Sequence, residues 1–271
     1  MMTRVPVETI SDVLAALDPI IDRARGTSSR LGYFAALYRG VTQRVKDGIA
    51  SGRFQDGPRM ERLDVVFASR YLDAYDAFRA GRPVSRCWAV ALQACADPLP
   101  LIVQHLLAGM NAHINLDLGI AAAEAAPDLG ALGALRRDFD EINNVLADET
   151  FGVEKALVEV SPMLSLLVDL ELLDRNRLLN FDIGKARAFA WSSATRLVAD
   201  PARRDETVAC LDAATALLGN ALLHPPPGIA LKLAPIRAAE QASVKRVIEV
   251  LTGSRPRAVE PTTDPKLPTN T

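Results

Sequence analysis

Residues 97–127 read DPLPLIVQHLLAGMNAHINLDLGIAAAEAAP and form the longest uninterrupted helical pattern in the sequence. Asp97 is a residue type that caps helices, Pro98 or Pro100 suits a first turn, and Pro127 ends the pattern, so about seven turns of helix fit between them. Apolar residues occupy almost every face of this helix, which leaves little of it for solvent. We therefore expect a central, buried helix.

Polar side chains on this helix are expected to be buried with it, and a buried polar group costs free energy unless it finds a partner. His113 and Asp117 are four residues apart, a spacing that allows an imidazole and a carboxylate to hydrogen-bond or to share a metal ion. Two amides, Asn111 and Asn115, lie on the other flank, and His105 lies two turns before His113. We expect any chemistry of this protein to occur on this helix.

Helical periodicity recurs along the chain, whereas alternating patterns typical of strands are almost absent. With 271 residues, of which 49% are hydrophobic, the chain is long enough to bury a sizeable core. We predict an all-α, single-domain bundle of about nine to ten helices packed around the central one.

Charge and composition bear on partners and location. The net charge is −2 and the basic residues are dispersed, which argues against a nucleic-acid or membrane partner. The beginning of the sequence lacks a basic region followed by an apolar run, so a cytoplasmic protein is expected. Its three cysteines, Cys87, Cys95 and Cys210, are expected to be reduced.

Other helices are predicted from apolar spacing and from the glycines and prolines that end it. Their expected ranges are 9–24 with a kink or break at Pro19, 30–51, 59–80, a short helix from Ser85, 129–149, 151–160, 178–198, 202–223 and 235–251. A short buried segment is expected at 163–170 and an extended connection at 224–228. Residues 254–271 are rich in proline and lack apolar periodicity, so we expect a helical domain over 1–253 and a disordered tail.

Arg70 interrupts an apolar face of the predicted helix 59–80. That face is formed by Leu63, Val66, Phe67, Ala74, Ala77 and Phe78. A buried guanidinium needs a carboxylate, and Asp117 is the best inward-facing candidate. An arginine at this position either forms a structural ion pair or binds a carboxylate or phosphate ligand.

Further polar residues lie on the later helices. Asn143 intrudes between Phe139 and Leu146, and buried amides either pair across helices or bind a polar ligand. Arg187 and Trp191 are four residues apart, a spacing that favours cation–π packing.

Four segments of the chain resemble a known family. They are MERLDVVFASRYLDA (60–74), QHLLAGMNAHINLDLGIAAAE (104–124), RRDFDEIN (136–143) and KARAFAW (185–191), and they resemble an uncharacterised bacterial, all-helical family known as domain of unknown function 5995. The most specific part is the Asn-x-His-x-Asn-x-Asp string at 111–117. The resemblance implies an all-helical fold and brings no activity, substrate or catalytic residues.

The leading functional hypothesis is a buried polar pocket that binds or acts on a small polar metabolite. The pocket would be lined by Arg70, His105, Asn111, His113, Asn115, Asp117 and Asn143. In an enzyme, His113 would be the general base and Asp117 would orient its ring. Arg70 or Asn111 would then hold an anionic or carbonyl group of the substrate.

Two other classes of function remain open from the sequence. A divalent-metal hydrolase would take His113 and Asp117 with a carboxylate such as Asp64, Asp73 or Asp138, but the scarcity of histidines argues against a zinc site. A non-enzymatic bundle would use the same polar residues to fix helix packing, including packing in a homo-oligomer. No phosphate-binding glycine loop, metal-spaced cysteine pair or nucleophile elbow is present, so the cofactor, if any, is unknown.

Overall fold

The computed structural model describes residues 6–161 and 183–253, with the backbone alone for 145–158. The predicted segment 163–170 and tail 254–271 lie outside the described residues. Within them the chain forms ten helices and no strand, which confirms the all-α bundle. In chain order they are α1 (Ile10–Gly26), α2 (Leu31–Ala50), α3 (Gly57–Arg79), α4 (Arg86–Ala94), α5 (Ile102–Ala112, His113–Leu118 and Gly119–Ala125), α6 (Leu129–Val160), α7 (Ile183–Ala199), α8 (Arg204–Leu223), α9 (Pro227–Ala239) and α10 (Val244–Leu251).

Helix α5 is the central element. It contacts α2, α3, α4, α7 and α8, and nearly all of its side chains are buried. Its middle part, His113–Leu118, is a π-helical turn, in which each hydrogen bond spans one residue more than in an α-helix. Such turns are rare and occur frequently at functional sites, and this one carries both His113 and Asp117.

The start of α5 was predicted at Asp97, which is wrong. The residue before a proline is disfavoured in the α conformation, so Pro100 keeps Leu99 out of the helix. The Asp97 carboxylate instead accepts the N–H of Leu99 at 2.9 Å. The helix begins at Ile102, whose N–H donates to the Glu240 carboxylate at 3.1 Å.

Two helices continue through a proline. The sequence suggested that Pro19 would kink or break its helix and that Pro235 would begin one. Helix α1 includes Pro19, and α9 includes Pro235 and begins already at Pro227, where an extended connection was predicted. Each internal proline leaves one carbonyl without its helical donor. Those carbonyls belong to Ala15 and Leu231, and both residues are exposed, so water can satisfy them. Helix α6 likewise runs from Leu129 to Val160 without the break expected at residue 150.

Close packing of α5 depends on its glycines. A Cβ at Gly119 would lie 2.8 Å from the Ala190 carbonyl oxygen of α7, a distance that the backbone itself would have to relieve. We expect Gly119→Ala to lower the free energy of unfolding by about 1–3 kcal/mol, because it forces α5 and α7 apart. Urea unfolding measures this difference.

The control for this prediction is Gly133→Ala on α6. A Cβ there meets nothing within 4 Å, so the change should raise stability by up to about 1 kcal/mol through helix propensity alone. Equal effects of the two substitutions would contradict the close approach of α5 and α7.

Candidate functional site

Three helices place their polar groups on one buried carboxylate, Asp117. Arg70 of α3 donates through Nε to Oδ1 at 3.0 Å, and Trp88 of α4 donates through Nε1 to Oδ2 at 2.8 Å. His113, one turn before Asp117 on α5, places Nδ1 3.2 Å from Oδ2. The predicted pairing of Arg70 with Asp117 is therefore confirmed.

The contact with Asp117 fixes the tautomer of His113. A carboxylate accepts hydrogen bonds, so the neutral ring carries its proton on Nδ1 and leaves the lone pair of Nε2 free. Burial lowers the pKa of His113 below its usual value, although the hydrogen bond to Asp117 opposes this shift. The imidazole is thus neutral near pH 7, and its Nε2 is buried without a hydrogen-bond partner among the described residues.

Aromatic rings hold the imidazole in place. Phe67 stacks on it almost in parallel, with ring centroids 3.6 Å apart, and Tyr38 meets it edge-on at 4.6 Å. Phe34, Trp88 and Tyr71 lie slightly further away, at 5.6, 6.0 and 6.2 Å. Because these rings come from α2, α3 and α4, packing alone prevents rotation of His113.

Nine buried side-chain polar atoms of the described residues lack a hydrogen-bond partner, and five of them belong to residues packed around Tyr38. The other four are Nε of Arg59, both ring nitrogens of His105 and Oγ1 of Thr215. Within the described part of the chain, hydrogen-bond partners are missing for the buried hydroxyls of Tyr38, Thr42 and Tyr71 and for Oδ2 of Asp64, as well as for Nε2 of His113. We call these five residues the Tyr38 cluster. The Tyr38 and Thr42 hydroxyls lie near each other, but their geometry falls short of a hydrogen bond. Buried polar atoms are nearly always paired, so five in one place indicate a polar ligand or ordered water.

Asp64 is the acidic member of the Tyr38 cluster. Burial, and next the neighbouring Glu61 carboxylate, raise its pKa to about 7. Burial, and next the Asp64 carboxylate, raise the pKa of the Tyr38 hydroxyl well above its usual value. Near neutral pH, Asp64 therefore exchanges its proton while His113 is a neutral acceptor, and two groups with displaced pKa values are typical of acid–base sites.

Sequence reasoning named Asp64 only as a third metal ligand, because it chose the wrong face of α3. The face that is buried consists of Met60, Leu63, Asp64, Ala68, Tyr71, Leu72 and Tyr75. Arg70 lies at the edge of this face, with 29% of its side chain exposed, and not at its centre. The sequence did contain a signal for the correct face. Tyr71 and Tyr75 share a helical face with Met60, and Asp64 lies on that same face.

The two predicted amides lie on the side of α5 that faces α8. Asn111 donates through Nδ2 to the carbonyl of Thr215 at 2.8 Å, and Asn115 donates to Oδ1 of Asn111 at 2.9 Å. Gln104 extends this row, donating to the carbonyl of Leu222 at 2.7 Å. These amides join α5 to α8 and are not brought to His113.

The remaining two predicted residues lie apart from both groups. His105 meets Tyr33 edge-on at 6.0 Å, and burial lowers its pKa to about 4. Asn143 accepts a hydrogen bond from Nε of Arg187 at 2.7 Å. The structure therefore brings together Arg70, His113 and Asp117, whereas the other four predicted residues occupy separate places in the bundle.

The predicted stacking of Arg187 on Trp191 is replaced by two other contacts. The Arg187 guanidinium lies over the ring of Phe139, 4.3 Å from its centroid, and Arg136 covers Trp191 at 4.8 Å. Both pairs join α6 to α7, because the arginine of one helix reaches the aromatic ring of the other.

Comparison with known proteins gives a family but no activity. The model of a family of unknown function, DUF5995, matches residues 10–225. The chain belongs to this family. No curated protein and no solved structure matches it. The matched range of this DUF5995 protein contains Asp117, its three donors and the whole Tyr38 cluster, and it ends before α9.

The donor set offers little to a metal ion. Among residues 6–161 and 183–253, no group of three or more His, Cys, Asp or Glu side chains is arranged to hold one. Both oxygens of Asp117 already accept hydrogen bonds. Asp138, one of the proposed third ligands, accepts the backbone N–H groups of Gln55 and Asp56 at 2.7 and 3.0 Å and binds Arg59.

Replacing Asp117 should be costly. Asp117→Leu leaves the Trp88 N–H without an acceptor and the Arg70 guanidinium with only Glu124, 3.8 Å away, so we expect a loss of about 3–5 kcal/mol in urea unfolding. Arg70→Met leaves the buried Asp117 carboxylate without its counter-charge and should cost about as much. The double variant should lose less than the sum of the two.

The control is Glu206→Leu, which removes the exposed Arg203–Glu206 pair and should cost below about 1 kcal/mol. Additive losses for Arg70 and Asp117 would show that the two side chains do not interact in solution.

The pKa of Asp64 predicts a pH-dependent stability. A carboxyl whose pKa is raised from 3.8 to about 7 on folding stabilises the protein below pH 3.8, and this contribution is lost as the pH rises through 7. Asp64→Asn lacks the titrating carboxyl, so the variant does not lose this stability as the pH rises. The stability of the variant relative to wild type should rise by about 3 kcal/mol between pH 5 and pH 8 in urea unfolding.

The exposed Asp22→Asn serves as its control and should change stability equally at both pH values. A wild-type protein whose stability relative to Asp64→Asn is the same at pH 5 and pH 8 would contradict a buried Asp64 carboxyl.

Proposed function

We propose that this DUF5995 protein binds a small, uncharged, hydroxyl- or carbonyl-bearing molecule at the Tyr38 cluster and catalyses a proton transfer on it. One observation carries the proposal: Nε2 of an imidazole held by a carboxylate lacks a partner in the described residues, and so do polar atoms of four residues packed near it. A purely structural network would pair its members, since each unpaired group costs about 1–3 kcal/mol.

The charge of the site argues for an uncharged ligand. Arg70 balances Asp117, and the other groups are hydroxyls, a neutral imidazole and a carboxyl with a pKa of about 7. An ion entering this aromatic surrounding would lose its hydration without an opposite charge to replace it. A ligand that both donates and accepts hydrogen bonds would satisfy Nε2 of His113 and the hydroxyl of Tyr38, whose ring lies 4.6 Å from the imidazole.

The assigned chemistry needs no group beyond these residues. Nε2 of His113 removes a proton from the substrate, and Asp117 stabilises the imidazolium that forms. Asp64, in its protonated form, gives a proton to a substrate oxygen. The imidazolium then returns its proton to the neighbouring carbon and Asp64 takes back a proton from the oxygen, which restores both groups. The composition of the substrate is unchanged, so the reaction class is isomerisation by proton transfer.

Access to this site requires side chains to move. His113 is 2% exposed, whereas Phe67 and Arg70, which cover it from α3, are half-buried. Solvent thus lies on their side of the imidazole, and a ligand would enter past them.

A second function is supported by a different observation, the amide row. Gln104, Asn111 and Asn115 are fully engaged in joining α5 to α8, as expected of a bundle whose polar residues fix helix packing. In that case the Tyr38 cluster would hold ordered water only.

The test uses neutral hydroxy-carbonyl probes. Hydroxyacetone, glycolaldehyde and dihydroxyacetone should raise the melting temperature of the wild type, and their α-protons should exchange with D₂O, measured by proton NMR, faster than with buffer. Tyr38→Phe should stabilise the protein by about 1 kcal/mol by removing an unpartnered hydroxyl, yet lose the response to the probes. His113→Gln should lose the exchange, because it removes the base.

His105→Phe is the matched control, since it removes a buried histidine outside the cluster and should keep both responses. Binding of charged analogues alone, such as lactate or ethanolamine, would contradict the uncharged ligand. No response to any probe, with Tyr38→Phe equally unresponsive, would favour the structural function.

A further inference from the structure

A cavity of about 420 Å³ lies between α1 and α3, and none of its lining residues belongs to the Tyr38 cluster. This volume is typical of sites that bind small molecules. Most of the wall is apolar and is formed by Val7, Ala16, Pro19, Ile20 and Leu72. The cavity can therefore hold the apolar part of a small molecule.

Tyr75 supplies a polar group to this cavity. Its side chain is only 5% exposed and forms part of the wall. Its hydroxyl makes no hydrogen bond within the described part of the chain, yet it is not sealed from solvent as the Tyr38 hydroxyl is. A buried tyrosine usually finds a partner for its hydroxyl, so the partner here would come from the contents of the cavity.

Positive charge lies around this hydroxyl. Arg23 also lines the cavity, and no carboxylate of the described residues forms an ion pair with it. Burial raises the pKa of Tyr75, and the charges of Arg79 and then Arg23 oppose this rise more strongly than the charge of Asp76 adds to it. The Tyr75 end of the cavity therefore attracts an anionic group.

The two carboxylates in the wall have interactions of their own. Asp12 accepts the N–H groups of Glu8 and Thr9 at 3.2 and 2.9 Å. It lies about 16 Å from Arg23 along α1, which is more than a Debye length of about 8–10 Å. Asp76 likewise has a further interaction of its own. Neither carboxylate therefore prevents an anion from binding to Arg23.

We propose that this cavity binds a medium-chain aliphatic carboxylate. The carboxylate group of the ligand pairs with Arg23 and accepts a hydrogen bond from the Tyr75 hydroxyl. The aliphatic chain packs against Ala16, Ile20 and Leu72. Arg23 and Ala16 are about 10 Å apart along the axis of α1, which corresponds to a chain of about eight carbons.

Chain length and head-group charge test the ligand class. In isothermal titration calorimetry of the full chain, each added CH₂ from butanoate to octanoate should lower Kd by up to about fourfold. Octylamine and octanol should bind about tenfold more weakly than octanoate, since neither offers Arg23 an opposite charge. Equal Kd values for octanoate and octylamine, or a Kd independent of chain length, would overturn the proposal.

Two substitutions test the polar end of the site. Tyr75→Phe removes only the hydroxyl and Arg23→Gln only the charge, so each should raise the Kd of octanoate about tenfold. Arg25→Gln is the matched control, since it removes an arginine of the same helix that pairs with Asp22 at 2.7 Å, and it should bind as the wild type does. Unchanged octanoate binding by both test variants would overturn the proposal.

Other sites and other occupants would give different results. His113→Gln should bind octanoate as the wild type does, and a loss would assign the ligand to the Tyr38 cluster. Octanoate binding only after deletion of residues 1–5 would show that the chain itself fills the cavity. A dimer in sedimentation velocity that octanoate dissociates would assign the cavity to a second copy. Each of these three results would overturn the proposal.

Discussion

The Asp117 carboxylate is the interaction on which the centre of this protein depends. It is buried in the π-helical turn of α5 and is held by Arg70 and Trp88, so it joins α3, α4 and α5 at one point. A buried carboxylate is tolerated only where such donors replace its hydration. Its remaining contact fixes the proton of His113 on Nδ1, and the same charge that holds the helices together thereby determines which nitrogen can act.

Two parts of the core differ in how far their polar side chains are hydrogen-bonded. Between α5 and α8 every amide of the row has found an acceptor, and this contact holds the helices in register. Around Tyr38, on the side of α2 and α3, five polar groups have no partner among the described residues and reduce stability. Functional sites commonly retain such unfavourable groups because a ligand uses them, which is why the proposed chemistry is assigned to this side of α5.

Helix α8 is joined to the interior at two places. Asp212 accepts the N–H groups of Arg86 and Cys87 at the start of α4, and the Thr215 carbonyl accepts a hydrogen bond from Asn111 of α5. Because Trp88 of α4 binds Asp117, the first of these contacts also leads to the centre of the bundle.

Apolar periodicity and the positions of glycine and proline in the sequence determined the all-α fold, the buried α5 and the Arg70–Asp117 pair. They could do so because apolar spacing is a local property, and a buried charge needs a partner wherever it lies. The π-helical turn and the continuity of α6 could not be predicted from the sequence, since they depend on packing against other helices. Only the tertiary structure separated His105, Asn111, Asn115 and Asn143 from His113. It also decided which face of α3 is buried, and so placed Asp64 near Tyr38, because contacts between distant residues depend on how the helices rotate against one another.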